Sequence, residues 1–389
     1  MIKNKFGAKK SANRDAKGIA TLIAALAFTS LFSSNLRAQT CDELFKPYAG
    51  PRYSNEAELQ AKAEAREFKT IITKEPVTDQ PFLMGFVPIR GGRELYVDYV
   101  KPEAGKPTIV LLNGLTYRFG IWDAFVNRLK GDGLGILRYD PMGMGKTMEK
   151  YGIPDGPIEL IDQAKDLESL LNKLGIKQQV HILGLSYGGG LAIMYGGMHP
   201  DRIASLILEA PLTGPLPKLE ADIQMKIDLT RTLQPWNTAT DAELYSFFLK
   251  MIVYGQYPLT EPIVLEHPYK LENVFRMTEG TKSFRASDYV NKLPAGKVHL
   301  MVADKDQYIP APILDAFWQS IPKAARASRI FVENSEHKIP EAMPHFSAEW
   351  IKLIIAKDKR LQDGTTWSGG VWKGGAVAPG KAKIEIDAP

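Results

Sequence analysis

Gly184-Leu185-Ser186-Tyr187-Gly188 lies directly after the apolar run Val180 to Leu183 and directly before the helix-forming stretch Gly189 to Met198. A serine flanked by glycines therefore occupies a predicted strand-to-helix turn. Such a sharp turn strains the serine backbone, and glycines two residues to either side, Gly184 and Gly188, avoid a β-carbon colliding with the strand or helix. The hydroxyl is pushed out of the sheet, and the helix that follows offers its amides and positive dipole end to negative charge forming beside it. A nucleophilic serine also needs a base and an acid that orients it. After the apolar run Lys297 to Val302, the loop Ala303-Asp304-Lys305-Asp306-Gln307-Tyr308-Ile309-Pro310 carries two acids. After Arg329 to Val332, the loop Glu333-Asn334-Ser335-Glu336-His337-Lys338-Ile339-Pro340 carries a histidine. The order along the chain is Ser, Asp, His.

The elements that must hold these groups can be read from periodicity. Apolar or alternating runs at 82–89, 94–100, 108–113, 134–139, 180–185, 205–210, 298–303 and 329–333 predict eight strands. Gly91-Gly92 predicts a tight turn joining the first two as a hairpin. Helical patterns at Ile121 to Lys130, Ile158 to Leu174, Gly189 to Met198, Ala311 to Ser320 and Glu341 to Ala356 fall between or after strands. Alternation of strand and helix predicts an α/β fold with a mostly parallel sheet covered by helices on both faces. Residues 212–296 carry no clear strand and predict a helical cap inserted after the sixth strand.

On these motifs the chain resembles the α/β-hydrolase-fold enzymes, from about Phe82 to about Lys357. Leu111-Leu112-Asn113-Gly114-Leu115 is similar to the family's His-Gly strand end, with Asn113 where histidine is common. Arg138 to Thr147 resembles the family's Asp-x-x-Gly-x-Gly-x-Ser turn, Gly184 to Gly188 its nucleophile elbow, and His199-Pro200-Asp201-Arg202-Ile203 the entry to its sixth strand. The resemblance implies Ser186 as nucleophile and His337 as base, although Glu336 replaces the glycine that often precedes the histidine. Aligning the family's Gly-x-x-Asp-x-x-x-Pro on Ala303 to Pro310 implies Asp306 as the acid, with Asp304 and Glu209 as rivals. It implies an oxyanion hole from the amides of Leu115 and Tyr187, near Asn113 and Gly114. A serine nucleophile argues against the dehalogenase and epoxide hydrolase branches, which use aspartate there. Esters or lactones are the first expectation, since no charged anchor for a substrate amine is visible. Proline-iminopeptidase-like or carbon–carbon bond hydrolysis comes second, and a non-catalytic exported binding protein third.

The net charge of the 389-residue chain, +5, is not a nucleic-acid signal. Lys3, Lys5, Lys9, Lys10, Arg14, Lys17 and Arg37 against Asp15 give residues 1–38 a charge of +6, leaving −1 for the rest. A basic start, the uncharged stretch Gly18 to Phe32 and Leu36-Arg37-Ala38 as a cleavage end predict a signal peptide over 1–38, hence an exported, periplasmic or secreted protein with no integral membrane span after processing. Residues 39–81 read as an N-terminal extension with a surface helix over Glu56 to Ile72. Residues 82–211 and 297–357 read as the core, and 358–389 as a flexible tail rich in Gly, Pro and Lys. Cys41, the one cysteine, excludes an intrachain disulfide and a cysteine-rich metal site; lipid attachment there is a minor alternative to export in free form.

No metal site or cofactor is expected. Gly143-Met144-Gly145-Lys146-Thr147 looks like the end of a phosphate loop, but Asp140 stands where that loop needs glycine. His181 and His299 inside predicted strands, His199 and His267 beside prolines, and His345 in the final helix read as packed or capped. The partner expected is a small-molecule substrate with an apolar or aromatic acyl or leaving group, because the cap carries Trp236, Tyr245, Phe247, Phe248, Tyr254, Tyr257 and Tyr269 and few charges interrupt Tyr245 to Pro258.

Overall fold

The structure is a computed structural model that describes residues 82–115, 119–152, 154, 156–254, 272–306, 308–333, 335–361, 366–369 and 382–383. The predicted leader, Cys41 and the helix expected over Glu56 to Ile72 lie outside the described residues.

Strand β1 (Phe82–Pro88) pairs antiparallel with β2 (Glu94–Val100) through a turn in which Gly91 and Gly92 take φ of 69° and 72°. A side chain would be strained at either position. The chain continues through β3 (Thr108–Leu112), α1 (Asp123–Arg128), β4 (Gly135–Asp140), α2 (Gly145–Tyr151), α3 (Leu160–Lys173), β5 (Val180–Leu185), α4 (Tyr187–Met198) and β6 (Ile203–Glu209). Four helices follow before the next strand: α5 (Pro217–Leu233), α6 (Asp241–Tyr254), α7 (Glu272–Glu279) and α8 (Ser287–Val290). Then come β7 (Val298–Ala303), α9 (Ala311–Ser320), β8 (Arg326–Val332), α10 (Ile339–Ala342), α11 (Pro344–Ile355), β9 (Thr366–Gly369) and β10 (Ala382–Lys383).

The strands form one sheet in the order β1-β2-β4-β3-β5-β6-β7-β8-β9-β10, antiparallel at β1–β2 and β2–β4 and parallel elsewhere. From β3 the chain steps to β4 on one side, then returns past β3 to β5 on the other. The loops leaving β3 and β5 thus diverge, and a crevice opens at their carboxyl ends, where open parallel sheets bind ligands.

Both faces are covered, which is why the central strands read as continuous apolar runs. Val180 and Ile182 of β5 pack with Leu167, Leu170 and Leu191 of α3 and α4. Leu183 and Leu185, alternating to the other face, pack with Trp122, Phe125, Phe346 and Trp350 around α1 and α11. Helices α5 and α6 hold a smaller cluster of their own, including Ile223, Ile227, Leu244 and Leu249, against which Leu115 also packs.

All eight expected strands are present, with differences that have local causes. Strands β6 and β8 start earlier than the apolar runs suggest: Ile203 pairs with Val180 ahead of the run in β6, and in β8 Ser328 is buried in the sheet by its hydrogen bond to His299. The helix expected over Glu341 to Ala356 is split at Met343 by the following proline, which starts α11 at its first position. Helix α2 was not expected; Gly145 permits its entry at φ 46°. The expectation of a wholly flexible tail from residue 358 is corrected: Leu361 is buried, and Thr366–Gly369 pairs with Arg329 to Val332 as an added parallel strand. A short, glycine-flanked stretch carries too weak a period for sequence reading, and the exposed edge of β8 supplies its partner.

Candidate active site

Ser186 caps α4 with φ 53° and ψ −114°, a conformation rare for a residue with a side chain. Backbone bonds hold it there. Its amide donates to the Glu209 carbonyl at 3.0 Å, and its carbonyl accepts from Leu212 at 2.8 Å and Gly190 at 3.1 Å. The flanking glycines are sterically required: a β-carbon at Gly184 would lie 2.4 Å from the Gly188 carbonyl oxygen, and one at Gly188 would lie 2.2 Å from that of Leu112. Tyr187 is the first residue of α4, so its amide has no intrahelical acceptor.

His337 and Asp306 come from the loops after β8 and β7 and are both buried. The imidazole Nδ1 lies 2.7 Å from Asp306 Oδ2, while Asp306 Oδ1 accepts from the amides of Tyr308 at 2.8 Å and Ile309 at 3.0 Å. The carboxylate is thereby fixed on both oxygens, and the Tyr308 ring meets His337 edge-on at 5.0 Å. Asp304 is exposed and serves another purpose: its Oδ1 accepts from the Ser335 amide at 2.9 Å, tying the acid loop to the histidine loop. Glu209, the third candidate acid, is fully buried and accepts from Ser347 Oγ at 2.8 Å. Its Oε2 has no hydrogen-bond partner among the described residues. Burial pushes its carboxyl up to about 8, only partly offset by the Ser347 hydrogen bond. Of the three acids, the structure joins Asp306 to the histidine.

Ser186, Tyr187, His337 and Leu115 line one cavity of about 110 Å³. Asn113 does not reach it as a reacting group. It is buried, donating to the Tyr139 carbonyl at 3.3 Å and accepting from Trp122 Nε1 at 2.8 Å, and so fixes the strand end that carries Gly114 and Leu115. On the far side of the cavity stand Leu212, Leu219, Tyr245, Leu249 and Thr281 from the residues between β6 and β7. Sequence reasoning missed Glu220, which also lines this cavity and accepts from the Tyr245 hydroxyl at 2.8 Å. On a charged amphipathic helix it had no distinguishing signal. Of the aromatics expected over the site, Tyr245 lines the cavity, Phe247 and Phe248 stack edge-on against each other, and Trp236 is largely exposed. Tyr257 and Tyr269 lie outside the described residues.

Residues 107–291 match the family profile described as "alpha/beta hydrolase fold". A proline iminopeptidase of Lactobacillus helveticus is 36% identical over 130 residues, 31% of this chain and 42% of that protein. The chain thus spans less than half the length of the iminopeptidase it matches. A 2-hydroxy-6-oxononadienedioate/2-hydroxy-6-oxononatrienedioate hydrolase of Paraburkholderia phymatum is 27% identical over 238 residues, 58% of this chain and 80% of that one. Among solved structures, an esterase from Exiguobacterium antarcticum superposes with a TM-score of 0.54 at 16% identity, over 70% of this chain and all of its own. This chain belongs to the α/β-hydrolase-fold superfamily.

In this α/β-hydrolase-fold chain the sequence that imitates a phosphate loop is filled from within. Asp140 Oδ2 accepts from the Lys146 amide at 3.0 Å and Oδ1 from the Phe119 amide at 2.9 Å, so the protein's own carboxylate occupies the amides an anion would need. Arg138, fully buried, joins Asp98 and Asp123 beside this turn. Among the described residues no group of three or more His, Cys, Asp or Glu side chains could hold a metal ion, and no helix is long and apolar enough to cross a membrane.

Proposed function

We propose that the chain is a serine hydrolase that cleaves a carboxylic ester or lactone through an acyl-enzyme. The observation that carries this reading is the shared cavity of Ser186 and His337, with the imidazole Nδ1 bound to Asp306 at 2.7 Å. With Nδ1–H donating to Asp306, Nε2 is the unprotonated nitrogen that takes the Ser186 proton as Oγ attacks a carbonyl carbon. The amides of Leu115 and Tyr187 stabilise the oxyanion, and His337 returns the proton to the departing alkoxide. Water, deprotonated by the same imidazole, then releases the acid. The helices between β6 and β7 act as a cap whose apolar lining, including Leu212, Leu219 and Leu249, suits an apolar acyl or leaving group.

The test is labelling by a fluorophosphonate, expected on Ser186 and abolished in Ser186→Ala, followed by turnover of nitrophenyl esters, lactones and aminoacyl anilides. No labelling of folded protein would favour a binding module. One observation favours an aminoacyl substrate as the second reading: Glu220 places a carboxylate in an otherwise mostly apolar wall. Under that reading aminoacyl anilides are the better substrates, and Glu220→Gln lowers kcat/KM for them while sparing simple esters. The basic leader and short apolar stretch support export, with a mature start near Gln39; intact mass of the processed protein checks it, and a lipid-bearing start at Cys41 would overturn it.

A further inference from the structure

A second cavity, of about 870 Å³, opens at the amino ends of β5 to β7. Ser186 follows the carboxyl end of β5, so the six residues of that strand, at roughly 3.3 Å each, put the two sites about 20 Å apart. The floor of the cavity interrupts the apolar face of the sheet. His181 and Ser205 are register partners on β5 and β6, His299 and Ser328 on β7 and β8, and each Nδ1 lies 2.7 Å from its serine Oγ. Both imidazoles are buried and line the cavity; with Nδ1 taken, Nε2 is the ring nitrogen left to meet a ligand.

The rim is cationic. Lys106, Lys297 and Lys357 line it against Glu103 and Asp358, and Asp358 is already paired with Arg360 at 2.7 Å. The Lys297 ammonium donates to the Ile203 carbonyl at 2.5 Å and to Gln179 Oε1 at 3.1 Å, both neutral acceptors, and no carboxylate lies within ion-pair distance of it among the described residues. Two of its three protons are thus used on neutral groups, and the charge is left uncompensated. Burial and the neighbouring Lys357 ammonium push Lys297 down, and burial with both ammoniums holds His181 at about 4. Cations crowded this way in a concave, partly dry site attract an anion more strongly than they would at an open surface. Ile354, Ile355, Leu361, Pro102 and Pro107 supply apolar wall beside the charge, and the volume lies within the range of small-molecule pockets.

We propose that this cavity binds a small organic anion, its carboxylate or phosphate on Lys297 and His181 and its apolar body against Ile354, Ile355 and Leu361. The site is separate from the hydrolytic one and does not depend on the function proposed above.

Thermal melting of the full chain with benzoate, inorganic phosphate and neutral benzamide tests the idea. Benzoate or phosphate is expected to raise the Tm in proportion to the logarithm of its concentration above Kd, and benzamide is not. A rise with benzoate alone identifies a carboxylate ligand, and with phosphate alone a phosphorylated one. Lys297→Met is expected to remove the rise while leaving the rate of fluorophosphonate labelling at Ser186 unchanged. A rise that persists in Lys297→Met is a general salt effect and overturns the proposal, as does an equal rise with benzamide or none with either anion. Should Lys297→Met not fold, the wild-type His181 ring resonances decide: saturable movement with the anion supports the site, and none refutes it.

Discussion

The two ends of β5 carry the same pair of residue types in opposite circumstances. At its amino end His181 touches its register partner Ser205 directly at 2.7 Å, next to a register shift in the ladder, with no carboxylate on the imidazole among the described residues. At its carboxyl end Ser186 is lifted out of the ladder at φ 53°, and its histidine arrives from β8 with Asp306 on Nδ1. A serine–histidine hydrogen bond alone therefore does not make a nucleophile of His181's partner, whereas the proposed nucleophile Ser186 has a different setting. Burial holds His181 at about 4 and His299 at about 3, so these rings stay neutral and bases too weak for the task. The position of Ser186 on a cavity wall, the backbone amides beside it and the acid behind the ring separate the two ends.

That contrast can be broken most severely at Ser186. Ser186→Ala is expected to lower turnover by about 10⁶, by precedent from other serine hydrolases, whereas Ser205→Ala and Ser328→Ala leave it within a few-fold. Single-turnover and steady-state rates on the best ester check both. Next comes the acid: Asp306→Asn is expected to cost about 10⁴ in kcat, because the imidazole takes the wrong tautomer, with the Tm near wild type. Asp304→Asn, which keeps a side-chain oxygen that can accept from the Ser335 amide, is expected to cost tenfold or less. Reversal of those two results would mean that the assignment of the acid is wrong.

Stability against pH sharpens the comparison further. His181 and His299 have folded values below that of a free imidazole, so the unfolded chain binds more protons between about 3 and 6.5. Their contribution to stability is full above pH 6.5 and is lost as pH falls toward 4 and 3. In His299→Asn the Tm is expected to fall less between pH 7 and 4.5 than in wild type, with hydrolysis near pH 7 nearly unchanged. Glu209 has the opposite sign. Its folded value, about 8 against about 4.5, makes the folded chain bind the extra proton, so stability declines as pH rises from 4.5 to 8 and levels off above. Glu209→Gln is expected to flatten that decline by up to a few kcal/mol, measured by denaturant midpoints from pH 5 to 9. A parallel loss of stability in both proteins would place the ionised form in the folded state.

The elbow was legible in the sequence because its requirements are local: glycines at 184 and 188, an apolar strand before and a helix after. Asn113, Asp304 and Glu209 were named but their tasks were not, since each depends on what a distant element brings. Trp122 settles the first, Ser335 the second and Ser347 the third. Glu220 was missed for the same reason, its role depending on the cavity across from it.

Period and turn chemistry alone thus determined the strands, the alternation with helices and the order of serine, acid and histidine, because each rests on neighbours within a few residues. Which acid meets the histidine, that two buried His–Ser pairs line a second cavity, that Glu220 enters the wall and that 366–369 extend the sheet were decided only by tertiary structure. Each depends on residues tens to more than a hundred positions apart, whose meeting is fixed by how β-strands order themselves in the sheet and by which face each side chain takes.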